Sequence, residues 1–228
     1  IPMVPDELTE AAFYGREDVA ALLDEGKVPL GLDLETVEPV TWELKKGNLL
    51  YLTDKEEQMI QFVKQIAHSK QKVIVLAPAY NELPEMEGVT ILSTKEDYVA
   101  GIKKMEENIQ LRLEQQKSQH EATIVLYNQL ELMNDLSMDL QSSLNYVLEK
   151  GARAGYATVA MSGSQLNRKI DEVSKSIKLY KQAIVAMRIT DQSVLNVINR
   201  PVREEPLDSQ VNYYVEDGFV RKVKVLMK

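Results

Sequence analysis

An apolar run, Leu49-Leu50-Tyr51-Leu52, passes within three residues into an amphipathic stretch that starts at Glu56, and this junction constrains the chain more than any other feature. The same alternation repeats downstream. Lys72 to Ala77, Val89 to Leu92, Ala122 to Tyr127, Tyr156 to Met161 and Ala183 to Met187 read as short buried strands, separated by stretches with helical spacing such as Tyr98, Ile102, Met105, Ile109 and Leu113. Near-continuous apolar strands alternating with helices predict an α/β fold: a mostly parallel sheet with helices on both faces. A phosphate-binding domain of that class carries G-x-x-x-x-G-K-[ST] at its first strand-to-helix junction, because glycines let successive backbone N–H groups cradle phosphate. Here no glycine stands between Gly47 and Gly88, and Thr53, Asp54 and Lys55 fill a junction too short to wrap a phosphate. Asp54, Glu56 and Glu57 place negative charge where the anion would sit, although the same acids complement a helix dipole. The junction is expected to cap a helix well and to bind ATP poorly.

Function classes narrow with the charge. Lys plus Arg number 27 against 35 Asp plus Glu, a net charge of −8, which opposes nonspecific binding to nucleic acid or to an anionic membrane, so neither is expected as a direct partner. There is no cysteine for disulfides or thiolate metal sites. His68 and His120 have no second ligand near them in sequence, and Glu82, Glu85 and Glu87 lie in a proline-flanked loop, so no metal site is expected. No apolar run approaches the roughly 18–20 residues that cross a bilayer.

Taken in order, residues 1–27 read as a lead-in with one or two short helices between Asp6 and Leu23. Val28 to Leu34 follows as an edge strand and Thr41 to Leu44 as a second strand. Thr94 with Asp97 forms a helix-capping pair. A helix over Leu140 to Leu148 is expected to end on Gly151 as a left-handed cap, a short helix to span Asp191 to Ile198, and a hairpin to turn at Asp217-Gly218.

Three stretches, in this order, resemble the FtsK/SpoIIIE-type ATPase module, a RecA-like P-loop NTPase domain. They are Pro29-Leu30-Gly31-Leu32-Asp33 through Val37-Glu38-Pro39-Val40, then Glu149-Lys150-Gly151-Ala152-Arg153-Ala154-Gly155-Tyr156, and last Tyr213-Tyr214-Val215 with Asp217-Gly218. The pattern is most similar to a late, degenerate module of the membrane-anchored coupling ATPases of Gram-positive type VII secretion, the EssC/YukB type. The resemblance implies one domain over residues 1–228, with a RecA-like core from 28 to 228 and a C-terminal hairpin. It aligns Ile124 to Leu132 with the strand whose terminal Asp-Glu holds hydrated Mg²⁺ and polarises water. Tyr127 and Asn128 stand there instead, and a phenol and an amide do neither task well. Ser162 or Ser164 would replace the polar γ-phosphate sensor.

A vestigial nucleotide site of Thr53, Asp54, Lys55, Tyr127, Asn128 and Ser162 follows from the resemblance, with no catalytic residue, no metal and no resident cofactor. Weak ATP/Mg binding is the alternative, because adenine contacts need not use the lost residues. The resemblance further implies a parent protein on the cytoplasmic face of a bacterial membrane and a hexameric ring. Its partners would be neighbouring ATPase modules of the same chain and secreted helical-hairpin substrates. Arg153 is expected in a structural salt bridge rather than as an arginine finger.

Overall fold

A computed structural model describes residues 3–226. In chain order the elements are α1 (Glu10–Tyr14), α2 (Glu17–Asp24), β1 (Val28–Asp33), β2 (Pro39–Trp42), β3 (Leu49–Leu52), α3 (Glu56–Ala67), β4 (Val73–Leu76), β5 (Val89–Leu92) and α4 (Lys95–Glu114). They continue with β6 (Ala122–Leu126), α5 (Gln129–Asp135), α6 (Met138–Lys150), β7 (Tyr156–Ser162), α7 (Glu172–Ile177), β8 (Gln182–Val185), β9 (Val211–Glu216) and β10 (Phe219–Lys224). All ten strands join one sheet in the order β2-β1-β10-β9-β8-β3-β7-β6-β4-β5. The six strands from β8 to β5 run parallel, and the remaining four attach antiparallel through the hairpin.

Strand β3 is central because both of its faces are apolar. Leu50 and Leu52 point to one side, where they meet Tyr98, Ile102, Met105 and Ile109 of α4, Leu144 and Val147 of α6, and Val173 and Ile177 of α7. Leu49 and Tyr51 point to the other, against Met59, Phe62, Val63 and Ile66 of α3. The alternation follows from the two-residue period of a strand, and full burial of each such side chain contributes about 1.5–3 kcal/mol. On both sides β3 is held by parallel partners, Leu50 lying opposite Ala160 of β7 and Ala183 of β8. The lead-in packs a small core of its own, in which Leu8, Phe13 and Val19 close on Leu32 and Leu226.

Several local expectations hold. Thr94 accepts the Asp97 N–H at 3.1 Å, and Asp217 and Gly218 both take positive φ, the two-residue turn that matches strand twist. Others are corrected. Strand β1 is not an edge, since β2 lies outside it and β10 inside. Gly151 is right-handed (φ −62°), and α6 tightens into a 3₁₀ turn, Gly151–Ala154, that ends on Gly155 at φ 87°. Gly155 is required twice over, because a Cβ there would lie 2.1 Å from the Gln119 carbonyl oxygen. Asp191 ends a 3₁₀ turn, Ile189–Asp191, and the expected helix from there to Ile198 does not form. The Gln192 amide accepts the N–H groups of Val194 and Leu195 and donates to the carbonyls of Ile189 and Leu195, replacing the helical ladder locally. Helix α5, which follows Asn128, has no counterpart in the sequence reading.

Candidate functional site

The carboxyl ends of β3, β7 and β6 lie side by side and carry all six expected site residues on one rim. Thr53 follows β3, is fully buried, and donates its backbone N–H to the Ser162 carbonyl at 2.9 Å. Its hydroxyl is bonded to the Gln58 side chain and accepts the Lys55 N–H at 3.1 Å, so the first turn of α3 folds back on the strand end. Lys55 is the N-cap residue without a side-chain capping bond, so the expected cap is replaced by Thr53, and only Glu56 and Glu57 face the helix dipole from within the first turn. Asp54 turns the other way. Its carboxylate accepts both the N–H and the hydroxyl of Ser164 at 2.8 Å, and Gly163 makes room, since a Cβ there would lie 2.7 Å from Asp54 Oδ1.

Tyr127, at the end of β6, is fully buried, and its hydroxyl donates to Glu56 Oε1 at 2.8 Å. Burial first, then the hydrogen bond and charge of Glu56 and the charge of Glu82, push this phenol well above its ordinary pKa. Tyr127 therefore spans from one strand end to the start of α3 and closes the cleft between them. Asn128 adopts the left-handed conformation (φ 49°, ψ 61°) that a short amide side chain tolerates, and its carbonyl accepts the Leu132 N–H at the start of α5. Ser162 donates to Gln129 Oε1 at 2.8 Å and Gln129 Nε2 donates to the Ser174 hydroxyl at 2.9 Å, all three side chains being fully buried. Gln129 and Ser174 were missed from the sequence. Neither type nor spacing marks them: the register of β6 beside β7 brings Gln129 to Ser162, and the packing of α7 brings Ser174 to Gln129.

The rim is therefore a self-satisfied polar network. Among the described residues no three His, Cys, Asp or Glu side chains gather as a metal cluster. Arg153 is exposed, and no ion pair involves it among the described residues, contrary to expectation. Beside the rim a cleft of about 300 Å³ opens between α3 and the strands that follow residue 208, lined by Tyr51, Gln58, Gln61, Phe62, Gln210 and Asn212 among others. Most of its polar groups are amides; Lys55 is the one cation among its lining residues, and Glu57 lines it as well.

Buried tyrosines give the fold a distinct alkaline limit. Burial, with Asp135 and Asp97 nearby, pushes Tyr98 up to about 12, and burial with Glu204 does the same for Tyr213. The folded chain thus holds these protons more tightly than the unfolded chain, whose tyrosines titrate at about 10. The stability they contribute is intact below pH of about 10 and is lost as the pH climbs through about 12. Phenolate absorbance from these two tyrosines should rise together with loss of far-ultraviolet circular dichroism; ionisation near pH of about 10 with the fold intact would contradict the burial argument.

No family model matches the sequence. The chain is 25% identical over 236 residues to the type VII secretion system protein EssC of Staphylococcus aureus (strain MRSA252), a match that covers 99% of this chain and 16% of that protein. In fold it is similar to EssC (ATPases 2 and 3) from Geobacillus thermodenitrificans, with a TM-score of 0.87 and 18% identity over 99% of this chain and 45% of that one. It is likewise similar to Thermomonospora curvata EccC (ATPases 2 and 3) in complex with a signal sequence peptide, with a TM-score of 0.72 and 14% identity, covering all of this chain and 44% of that one. The sequence match runs along nearly the whole chain and the fold superposes on ATPase modules of EssC: the chain is similar to a type VII secretion module of the EssC type and has the RecA-like ATPase fold.

Proposed function

We propose that this module does not hydrolyse ATP and acts, at the C-terminal end of a membrane-anchored type VII secretion ATPase, as a contact unit that recognises substrate or regulates the neighbouring motor modules. The observation that carries the reading is the Tyr127–Glu56 bond. A phenol stands where the Mg²⁺-holding carboxylate is needed, and it is tied to a carboxylate at the helix N-terminus that a phosphate would approach. The donors at the rim do not fit a magnesium triphosphate. The Thr53 hydroxyl is engaged by Gln58, the Asp54 carboxylate by Ser164, and no glycine run frees a series of backbone N–H groups. Retention of the whole sheet without these groups favours selection for surface rather than for chemistry.

The wider setting belongs to the same proposal. The matched EssC structure holds two ATPase modules and the matched EccC structure holds a signal sequence peptide, so adjacent modules and secreted helical-hairpin proteins are the partners proposed. A hexameric ring at the cytoplasmic face of a bacterial membrane would assemble them. Among the described residues no helix is long and apolar enough to cross a membrane, which is consistent with an anchor elsewhere in the parent.

Calorimetric titration with Mg²⁺-ATP, with a hydrolysis assay on the same sample, tests the reading. The expected result is no turnover above the uncatalysed rate, with absent or weak binding. Tight binding with turnover that is abolished by Lys55→Ala would establish an active motor and overturn it.

A further inference from the structure

Between the segment that follows α7 and the tip of the β9–β10 hairpin, the side chains form a second concave surface. Lys178 Nζ donates to the Lys169 carbonyl at 2.6 Å and so binds the end of α7 to the loop before it. Asp217 N–H donates to the Lys181 carbonyl at 2.9 Å, and Ile198 N–H to the Gly218 carbonyl at 2.7 Å, which fastens the tip of the β9–β10 hairpin to both neighbouring segments. Between these ties lies a depression of about 410 Å³ lined by Lys178, Tyr180, Lys181, Leu195, Ile198 and Asp217, among others.

Ile198 lines it, and Leu179 and Phe219 adjoin its lining residues in the chain. Leu179 is 78%, Ile198 68% and Phe219 59% accessible, and Ile170, next to the bonded Lys169, is 80% accessible. Grouped exposure of this kind, rimmed by charge, marks an interaction surface rather than scattered surface residues. The charge here runs opposite to that of the chain. Arg168, Lys169, Lys175, Lys178 and Lys181 fall within one short stretch, and none is in an ion pair among the described residues. The acids in that stretch are already engaged: Asp171 caps α7 through the Ser174 N–H, and Glu172 accepts the Ser142 hydroxyl. Asp217 is the one acid at the depression itself.

We propose that this depression docks an acidic amphipathic helix from a partner protein. Its apolar side chains would enter between Leu179, Ile198 and Phe219, while its carboxylates meet Lys178 and Lys181 at the rim, as a helix lays one face into a groove. An anionic membrane is the poorer fit, because a planar headgroup layer meets a recessed surface only at its rim, whereas a single helix can enter it. The proposal rests on the reading of this module as a contact unit, and it supplies the surface that reading lacks.

The test uses the whole chain and a fluorescent peptide of about 18 residues, helical by design, with leucine on one face and glutamate on the other. Anisotropy should show binding that weakens as NaCl rises from about 0.05 to about 0.5 M, and affinity should fall about tenfold in Leu179→Ser and in Lys181→Glu. Both residues are exposed, so both variants should keep the parent circular dichroism. The proposal is overturned by no binding, by equal binding of the peptide with lysine in place of glutamate, or by unchanged affinity in both variants. Self-association lost in the same variants would assign the face to a second copy, and cosedimentation with phosphatidylglycerol vesicles lost in them would assign it to a membrane; either also overturns it. Hydrolysis measured on the same samples separates this outcome from that for the nucleotide site, since peptide binding by a hydrolysing chain would sink only the earlier reading.

Discussion

Replacing Tyr127 by aspartate should destabilise the protein by about 4 kcal/mol, even though it restores the residue type that the magnesium chemistry of this fold requires. Tyr127 is fully buried in the core beneath α3, among Tyr51, Val75 and Val125. Aspartate would leave the volume of the ring empty and place a carboxylate at a fully buried position on the inner side of Glu56, and both changes act against folding. Tyr127→Phe is the control. It keeps the ring and removes only the hydroxyl, and Glu56 is exposed and can be hydrated instead, so the cost should stay near 1 kcal/mol. Denaturant unfolding of the two variants, followed by far-ultraviolet circular dichroism, gives both numbers. A Tyr127→Asp variant as stable as the parent would show that the strand end is plastic, and turnover in that variant would revive the enzyme reading.

Gln129→Ala is the second large effect, about 3 kcal/mol, although the residue contributes no apolar surface to the core. Its amide satisfies Ser162 on one side and Ser174 on the other in a place closed to solvent, so its loss leaves two hydroxyls without partners and a void between them. The same geometry makes the effects non-additive. Once Gln129 is alanine, Ser162→Ala should cost little more, and a double-mutant cycle should return a coupling of about 1 kcal/mol or more. Additive losses would mean that the three side chains act independently, contrary to the chain of bonds.

How far the sequence speaks depends on the range over which each feature is decided. Leu49 to Leu52 and Ala122 to Leu126 are legible as strands because their apolar character is continuous, and Thr94 and Asp217-Gly218 because a cap and a two-residue turn are settled within a few residues. Gly151 misleads because either of two glycines, Gly151 or Gly155, could end α6, and the close approach of Gln119, more than thirty positions earlier, selects Gly155. The stretch from Asp191 to Ile198 has apolar residues at helical spacing, Val194, Leu195 and Ile198, yet one glutamine side chain takes two of its backbone donors. Tyr127 and Asn128 are legible as departures from a motif, but their roles are not. That Tyr127 reaches Glu56, that Asp54 turns to Ser164 and that Ser162 finds Gln129 all depend on which strand ends lie adjacent, a property of the assembled sheet.

That assembly has a kinetic side. Leu32 of β1 lies opposite Lys224 of β10, so the first strand of the chain is held by the last. The parallel strands can pair as successive strand-helix units condense, but β1 and β2 reach the sheet only through a hairpin at the far end of the sequence. Closing so long a loop is entropically slow and is rewarded late. Until β10 forms, the local β1–β2 hairpin of Val28 to Trp42 therefore has an open edge along β1, and this edge is where chaperones or wrong neighbours have the most time to act.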